Sequence, residues 1–190
     1  MRIAITGPSG SGKTTLALEL ARSLGLRHIE IDALHHGPNW ESCRPDVLRA
    51  RVIAATEGDD WIADATYHGM LGELVPERAD VLVWLDLPLR VVMTRLLLRT
   101  HRRNREQTVL WNGNVEPGWR ESWGYLIRPA LCRVFENRRT FPTRYARYDV
   151  RRLRSAAEVA AFVQSIQASA TTSGSSSASE RQNTPPSVDR

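Results

Sequence analysis

Among 26 basic residues only one is a lysine, Lys13; all the others are arginine. So uniform a bias reads as codon usage spread over a surface, yet it stops at position 13. There a compact ammonium stands, which arginine's planar fork does not replace. The scarcity also excludes a GTPase of the Ras type, whose guanine-reading Asn-Lys-x-Asp motif needs a lysine of its own. Cysteine is nearly absent. Cys43 and Cys132 have no metal-like spacing and read as two free thiols in a reducing cytoplasm. Long apolar runs are missing too: the most apolar stretches, 81–93 and 91–98, contain Asp86, Arg90 and Arg95. No signal-peptide pattern precedes the first apolar strand, which reaches a glycine by position 7. A cytoplasmic location without membrane contact is expected. No internal repeat is visible.

What is there suits one globular domain. The chain has 190 residues, 42% hydrophobic and 25% charged. The net charge is +5, and segment 168–190, with Arg181, Arg190, Glu180 and Asp189, contributes none of it. The excess therefore sits on residues 1–167, the expected folded domain. Segment 168–190 is rich in Ser, Thr, Ala and Pro and is expected to be a disordered tail.

Strand and helix signals alternate. Strands are predicted at 2–6, 28–32, 61–64, 79–86 and 150–153. The fourth is apolar throughout, as expected of a strand covered on both faces. Helices are predicted at 14–24, 46–56, from Pro88 to about 99, at 119–138 with a break near Pro129, and from the capping box Ser155-Ala-Ala-Glu158 to about 166. The polar stretch from about 101 to 117 reads as a mobile loop. This alternation predicts an α/β fold, a parallel five-stranded sheet with helices on both faces. Such sheets bind ligands outside the carboxyl ends of their strands. Asp32, Asp64 and Asp86 are each expected to end a strand there. Trp84 and most of the six tryptophans are expected in the core.

The first strand is followed by Gly7-Pro8-Ser9-Gly10-Ser11-Gly12-Lys13-Thr14-Thr15. This fits the P-loop pattern, in which glycines let backbone amides turn toward phosphates and the next helix points its positive end at the same anion. Lys13 is expected to reach the outer phosphates of ATP, and Thr14 to give its hydroxyl to Mg2+. ATP-binding-cassette and AAA-type machines call for a longer chain, which leaves the small kinase-like group.

The P-loop, Ile29-Glu30-Ile31-Asp32-Ala33-Leu34, Trp61-Ile62-Ala63-Asp64 and Leu85-Asp86-Leu87-Pro88 together resemble the adenylate-kinase-like P-loop kinases. Within that group the likeness is to the small proteins called topology modulation proteins, over about residues 1–166. The resemblance implies a nucleotide-kinase-like P-loop fold with a lid at about 100–120. In it, Arg95 lies against adenine and Arg99 starts the lid and meets the phosphates. It also implies that Asp64 orients Mg2+ through water. The family's acceptor-gripping arginine would fall at position 68, where His68 stands, and its Thr-Gly-Asp-Met-Leu-Arg segment is absent. Both departures put a nucleoside monophosphate acceptor in question.

A hydroxyl acceptor benefits from a carboxylate that takes its proton. Asp32 is the candidate; in shikimate- and gluconate-kinase-like relatives an aspartate of this region faces the acceptor or the metal. Glu30 reads as structural. His35, His36, Trp40, Tyr67 and His68 are candidates to line the acceptor pocket. Adjacent histidines without a cysteine cluster do not suggest a metal site. Arg102, Arg103 and Arg120 join Arg95 and Arg99 as lid candidates, whereas Arg105, Arg128, Arg133, Arg138 and Arg139 read as solvated surface. The basic stripe lacks any helix-turn-helix or RNA-binding signature, so a nucleic-acid partner is not expected. The expected activity is phosphoryl transfer from Mg-ATP to a small-molecule acceptor, a nucleotide or a hydroxyl compound. The alternative is a regulatory ATP-binding or ATPase module acting through a partner or nucleic acid.

Overall fold

The computed structural model describes residues 1–179, with side-chain surroundings through 169. Five strands, β1 (Arg2–Thr6), β2 (Arg27–Glu30), β3 (Trp61–Asp64), β4 (Val81–Leu85) and β5 (Val150–Leu153), form one sheet in the order β2-β3-β1-β4-β5. All four pairings are parallel. Parallel neighbours need crossovers, and helices supply them: α1 (Lys13–Leu24), α2 (Ile31–His35), α3 (Pro45–Ala55), α4 (His68–Leu71), α5 (Leu74–Arg78), α6 (Leu89–Glu106), α7 (Trp119–Ser122), α8 (Arg128–Arg144) and α9 (Ala156–Ser179). This is the predicted α/β architecture.

The strand β4 shows why the sheet is stable. Leu82 and Trp84 face one side and pack with Phe141 and Tyr145. Val83 and Leu85 face the other and pack with Leu16, Leu20 and Phe162. With both faces covered, the strand is continuously apolar, and each large side chain so buried contributes about 1.5–3 kcal/mol. The capping box holds: the Glu158 amide donates to Ser155 Oγ at 3.1 Å, and the Arg154 amide donates to the Glu158 carboxylate at 2.8 Å. Helix α9 lays Val159, Phe162, Val163 and Ile166 on the core and runs on to Ser179. Of the expected tail, residues 180–190 lie outside those described.

Several boundaries differ from expectation. The second strand stops at Glu30, because Ile31, Leu34 and His35, at helical spacing, turn inward and make α2. Asp32 therefore lies in the first turn of a helix, not at a strand end. Helix α6 continues to Glu106, with Val92, Leu96 and Thr100 buried along one face, and stops where Gln107 adopts φ 47. Helices α7 and α8 are joined by a π-helical turn, Trp123–Ile127, just before Pro129. Proline has no amide to donate to the preceding turn, and the wider turn absorbs the defect. Trp61 and Trp84 are core residues, but Trp119 and Trp123 are about half exposed (46% and 54%), so most tryptophans are not in the core. Among the described residues no helix is long and apolar enough to cross a membrane.

Candidate active site

The turn between β1 and α1 carries Gly7, Ser9, Gly10, Ser11 and Gly12, and the first turn of α1 carries Lys13, Thr14 and Thr15. Gly10 has φ +86, and a Cβ there would come within 2.5 Å of the Val92 carbonyl oxygen. The loop is thus pressed against α6 where only glycine fits. Gly12 caps α1 in the left-handed region, with no side chain covering the helix N-terminus. Ser11 Oγ is buried beside it without a hydrogen-bond partner. The Lys13 ammonium donates to the Pro8 carbonyl at 3.2 Å. Burial pushes its pKa down, while the charges of Asp32 and Asp64 oppose that shift. Free amides, an unopposed helix N-terminus and an ammonium together make an anion cradle.

Asp64 closes β3 and is 2% exposed, and neither carboxylate oxygen accepts a hydrogen bond. His28 Nε2 lies 3.6 Å from it, a charge contact too long for a hydrogen bond, and Asp64 raises the His28 pKa. A buried carboxylate with open lone pairs next to an anion cradle suits a hydrated Mg2+. Asp32 is half-buried and accepts the Tyr67 hydroxyl at 2.6 Å. Burial first, and then the charge of Asp32, push the Tyr67 pKa far up, so the phenol remains a donor. Tyr67 reaches Asp32 from a contorted segment after β3, with φ 85 at Ala65 and φ 43 at Tyr67. That segment is pinned by the Ala65 amide to Ile5 O at 2.9 Å and by Thr66 Oγ1 to Thr6 Oγ1 at 3.2 Å. Strained backbone of this kind persists where its surroundings over-determine it.

The third strand-end carboxylate is spoken for. Asp86 binds Arg138 Nε at 2.7 Å and Arg152 NH2 at 2.6 Å, tying β4 to α8 and β5. It is a structural clasp and does not join the other two.

Arg95 is exposed on α6, with its NH1 3.5 Å from where a Cβ on Gly12 would stand. It thus lies over the P-loop. Arg99, one turn on, has its pKa lowered by burial, then by Arg103, and it feels the charges of Glu116 and Asp32. Its Nε is buried and unpaired. Arg103 is held by Glu116 at 2.7 Å, whereas Arg102 and Arg120 point to solvent. Arg133 is exposed, as expected, yet close enough to act on the charge of Lys13 and on Tyr67. No periodicity in the sequence could have shown that, because α8 meets the site only through tertiary packing.

Of the expected pocket residues, His35, His36, Trp40 and Tyr67 come together: ring centroids are 4.5 Å apart for His35–His36, 4.9 Å for His35–Tyr67 and 5.3 Å for His36–Trp40. His68 does not join them. Its Nδ1 lies 3.1 Å from Gly72 O and its ring abuts Tyr145. Trp111, which sequence reasoning passed over, lies beside His36 and Trp40. Glu30 lies near Trp111, and burial raises its pKa. The one legible signal was an aromatic residue in an otherwise polar stretch. Segment 107–117 is accordingly no free loop: Asn114 is 3% exposed and Glu116 is 5% exposed.

Comparison with known proteins agrees with this geometry. The family model for AAA, the ATPase family associated with various cellular activities, matches residues 3–62, less than a third of the chain. That stretch holds the P-loop unit and runs into β3. A cytidylate kinase from Natronomonas pharaonis is 28% identical over 141 residues, covering 66% of this chain and 70% of its own. A cytidylate kinase from Pyrococcus horikoshii is 29% identical over 113 residues, covering 51% of this chain and 56% of its own. Among solved structures, a shikimate kinase from Bacteroides thetaiotaomicron superposes with a TM-score of 0.54 at 16% identity, over 88% of this chain and 96% of that one. A deoxyadenosine kinase from M. mycoides also gives 0.54, at 12% identity, over 90% and 100%. The cradle after β1, the five parallel strands and these likenesses together give the chain the α/β fold of the small P-loop kinases.

Proposed function

We propose that the chain transfers the γ-phosphoryl group of ATP to the hydroxyl of a small acceptor, with Asp32 taking the proton. The observation that carries this is the Asp32 carboxylate, held by the Tyr67 hydroxyl at 2.6 Å and sensed by both Lys13 and Arg99. A carboxylate at that spot repels a phosphate acceptor and serves a hydroxyl. The turning away of His68 points the same way, since the side chain at the family's clamp position grips nothing in the site.

In this reading the acceptor oxygen attacks the γ-phosphorus while its proton passes to Asp32. The bond from the γ-phosphorus to the β,γ-bridging oxygen breaks, and ADP leaves. Lys13, Arg95 and Arg99 stabilise the charge that spreads over the transferring group, and Arg133 adds to it. Mg2+, held by Thr14 and through water by Asp64, would neutralise the phosphates. Residues 7–15 cradle the nucleotide, with Arg95 against the adenine. The closer kinship with topology modulation proteins belongs to this same proposal.

The test is ADP release from Mg-ATP with a panel of nucleosides, nucleoside monophosphates, sugars and hydroxy acids. One hydroxyl acceptor is expected to stimulate it. Lys13→Ala is expected to abolish turnover, and Asp32→Asn to lower kcat by about 10²–10⁴-fold with KM for ATP little changed. A nucleoside monophosphate as the preferred acceptor, with Asp32→Asn fully active, would overturn the reading. The AAA match over residues 3–62 favours a second reading, a regulatory ATPase that works on a partner. Slow ADP release that no acceptor changes, together with ATP-dependent capture of a macromolecule, would support that one instead.

A further inference from the structure

Segment 107–117 is fastened to the segment after α2 by a compact latch. The Asn114 amide donates to Gly37 O at 2.8 Å, and its carbonyl accepts the Trp40 amide at 2.9 Å. The Trp40 indole donates to Val115 O at 2.9 Å, and Asn112 donates to His36 O. The turn that makes this fit is short: Leu110 N to Asn114 O is 2.6 Å, and Asn112 sits at φ 54.

The latch delivers Trp111 into the cluster beside Asp32. Its ring is nearly parallel to His36 (6.3 Å, 17°) and perpendicular to Trp40 (6.3 Å, 88°). From there rings continue through His35 to Tyr67, whose hydroxyl rests on Asp32. The polar groups of this wall are occupied by the latch: Asn114 at both ends, the Trp40 indole and the Asn112 amide. Among the polar atoms of these rings His36 Nδ1 is buried without a hydrogen-bond partner; beside it the wall offers ring faces. A polyol needs many side-chain donors and acceptors, whereas a flat ring needs faces to lie against.

We propose that Trp111, anchored by Asn114, is a specificity-determining wall of the acceptor pocket, and that the acceptor is a hydroxyl compound bearing a flat aromatic or heteroaromatic ring. The proposal rests on the kinase reading above and narrows it.

The experiment compares ring-bearing alcohols (pyridoxine and the common nucleosides) with glycerol, glucose and gluconate. Both calorimetric binding and ADP release with Mg-ATP are measured, on the full chain and on Trp111→Ala and Trp111→Phe. A ring-bearing compound is expected to bind and be phosphorylated. Trp111→Ala should raise its KM tenfold or more with kcat within about threefold and KM for ATP unchanged, and Trp111→Phe should restore most of the loss. Binding of a ring compound without transfer would keep this pocket and sink the kinase reading. Transfer to glycerol, glucose or gluconate in preference would keep the kinase reading and overturn the pocket. So would a Trp111→Ala protein with unaltered KM, or failure of every ring-bearing compound to bind.

Discussion

Gly10 shows how much one residue type can decide. With φ +86 and the Val92 carbonyl 2.5 Å from a Cβ, even a methyl group forces the loop off α6. Gly10→Ala is expected to cost about 1–3 kcal/mol of stability and to remove the rise in melting temperature expected of the parent with Mg-ATP, both read by thermal unfolding. At the other end of the same strand, Arg2 donates to Asp80 at 2.6 Å and holds that carboxyl below its ordinary 3.8. A depressed carboxylate stabilises the fold above its unfolded value and loses that contribution as pH falls through the depressed one. Both side chains are about 40% exposed (39% and 43%), so solvent screens the pair and its contribution is small. Asp80→Asn is therefore expected to be slightly less stable than the parent at pH 7 by urea unfolding. The gap should close as pH drops below 3.8.

At the level of elements, the question is what holds α8 and β5 to the rest. Asp86 answers it by pairing with Arg138 and Arg152, and Arg152 also lies 4.2 Å over the Trp84 ring. Removing the shared carboxylate leaves two guanidiniums facing each other. A fully buried pair broken this way costs about 3–5 kcal/mol. Both arginines reach solvent, so Asp86→Asn is expected to lower the unfolding free energy by about 2 kcal/mol, read as a lower urea midpoint. Nucleotide binding should change little, because Asp86 stands outside the cradle. A loss of Mg-ATP binding equal to that of Lys13→Ala would contradict this division of labour.

Over the whole molecule, segments about seventy residues apart in sequence behave as one piece because Asn114 bridges Gly37 and Trp40. Hydrogen exchange is expected to show residues 36–41 and 107–117 opening together. Asn114→Ala should speed both by roughly tenfold, the loss of about 1.4 kcal/mol, while β1 and β4 stay protected. Acceleration confined to one segment would mean that they move independently.

The sequence by itself determined the P-loop, the parallel sheet and the strand-end position of Asp64, since these depend on neighbours a few residues away. The glycine spacing around Lys13 demands a phosphate-binding turn, and unbroken apolar strands demand cover on both faces. The capping box at Ser155 was legible for the same reason: both partners lie within one helical turn. Only the tertiary structure decided the rest. Asp32 looked like a strand end until burial of Ile31 turned the chain into α2. Arg133 is exposed as expected, yet only the packing of α8 brings it near enough to act on the charge of Lys13, and Asp86 looked like a site carboxylate until Arg138 and Arg152 reached it. Trp111 was invisible because its partners, His36 and Trp40, stand some seventy residues earlier in the chain. Local pattern encodes what a segment becomes. Which side chains then meet is set by how the segments pack, and that depends on contacts no single stretch contains.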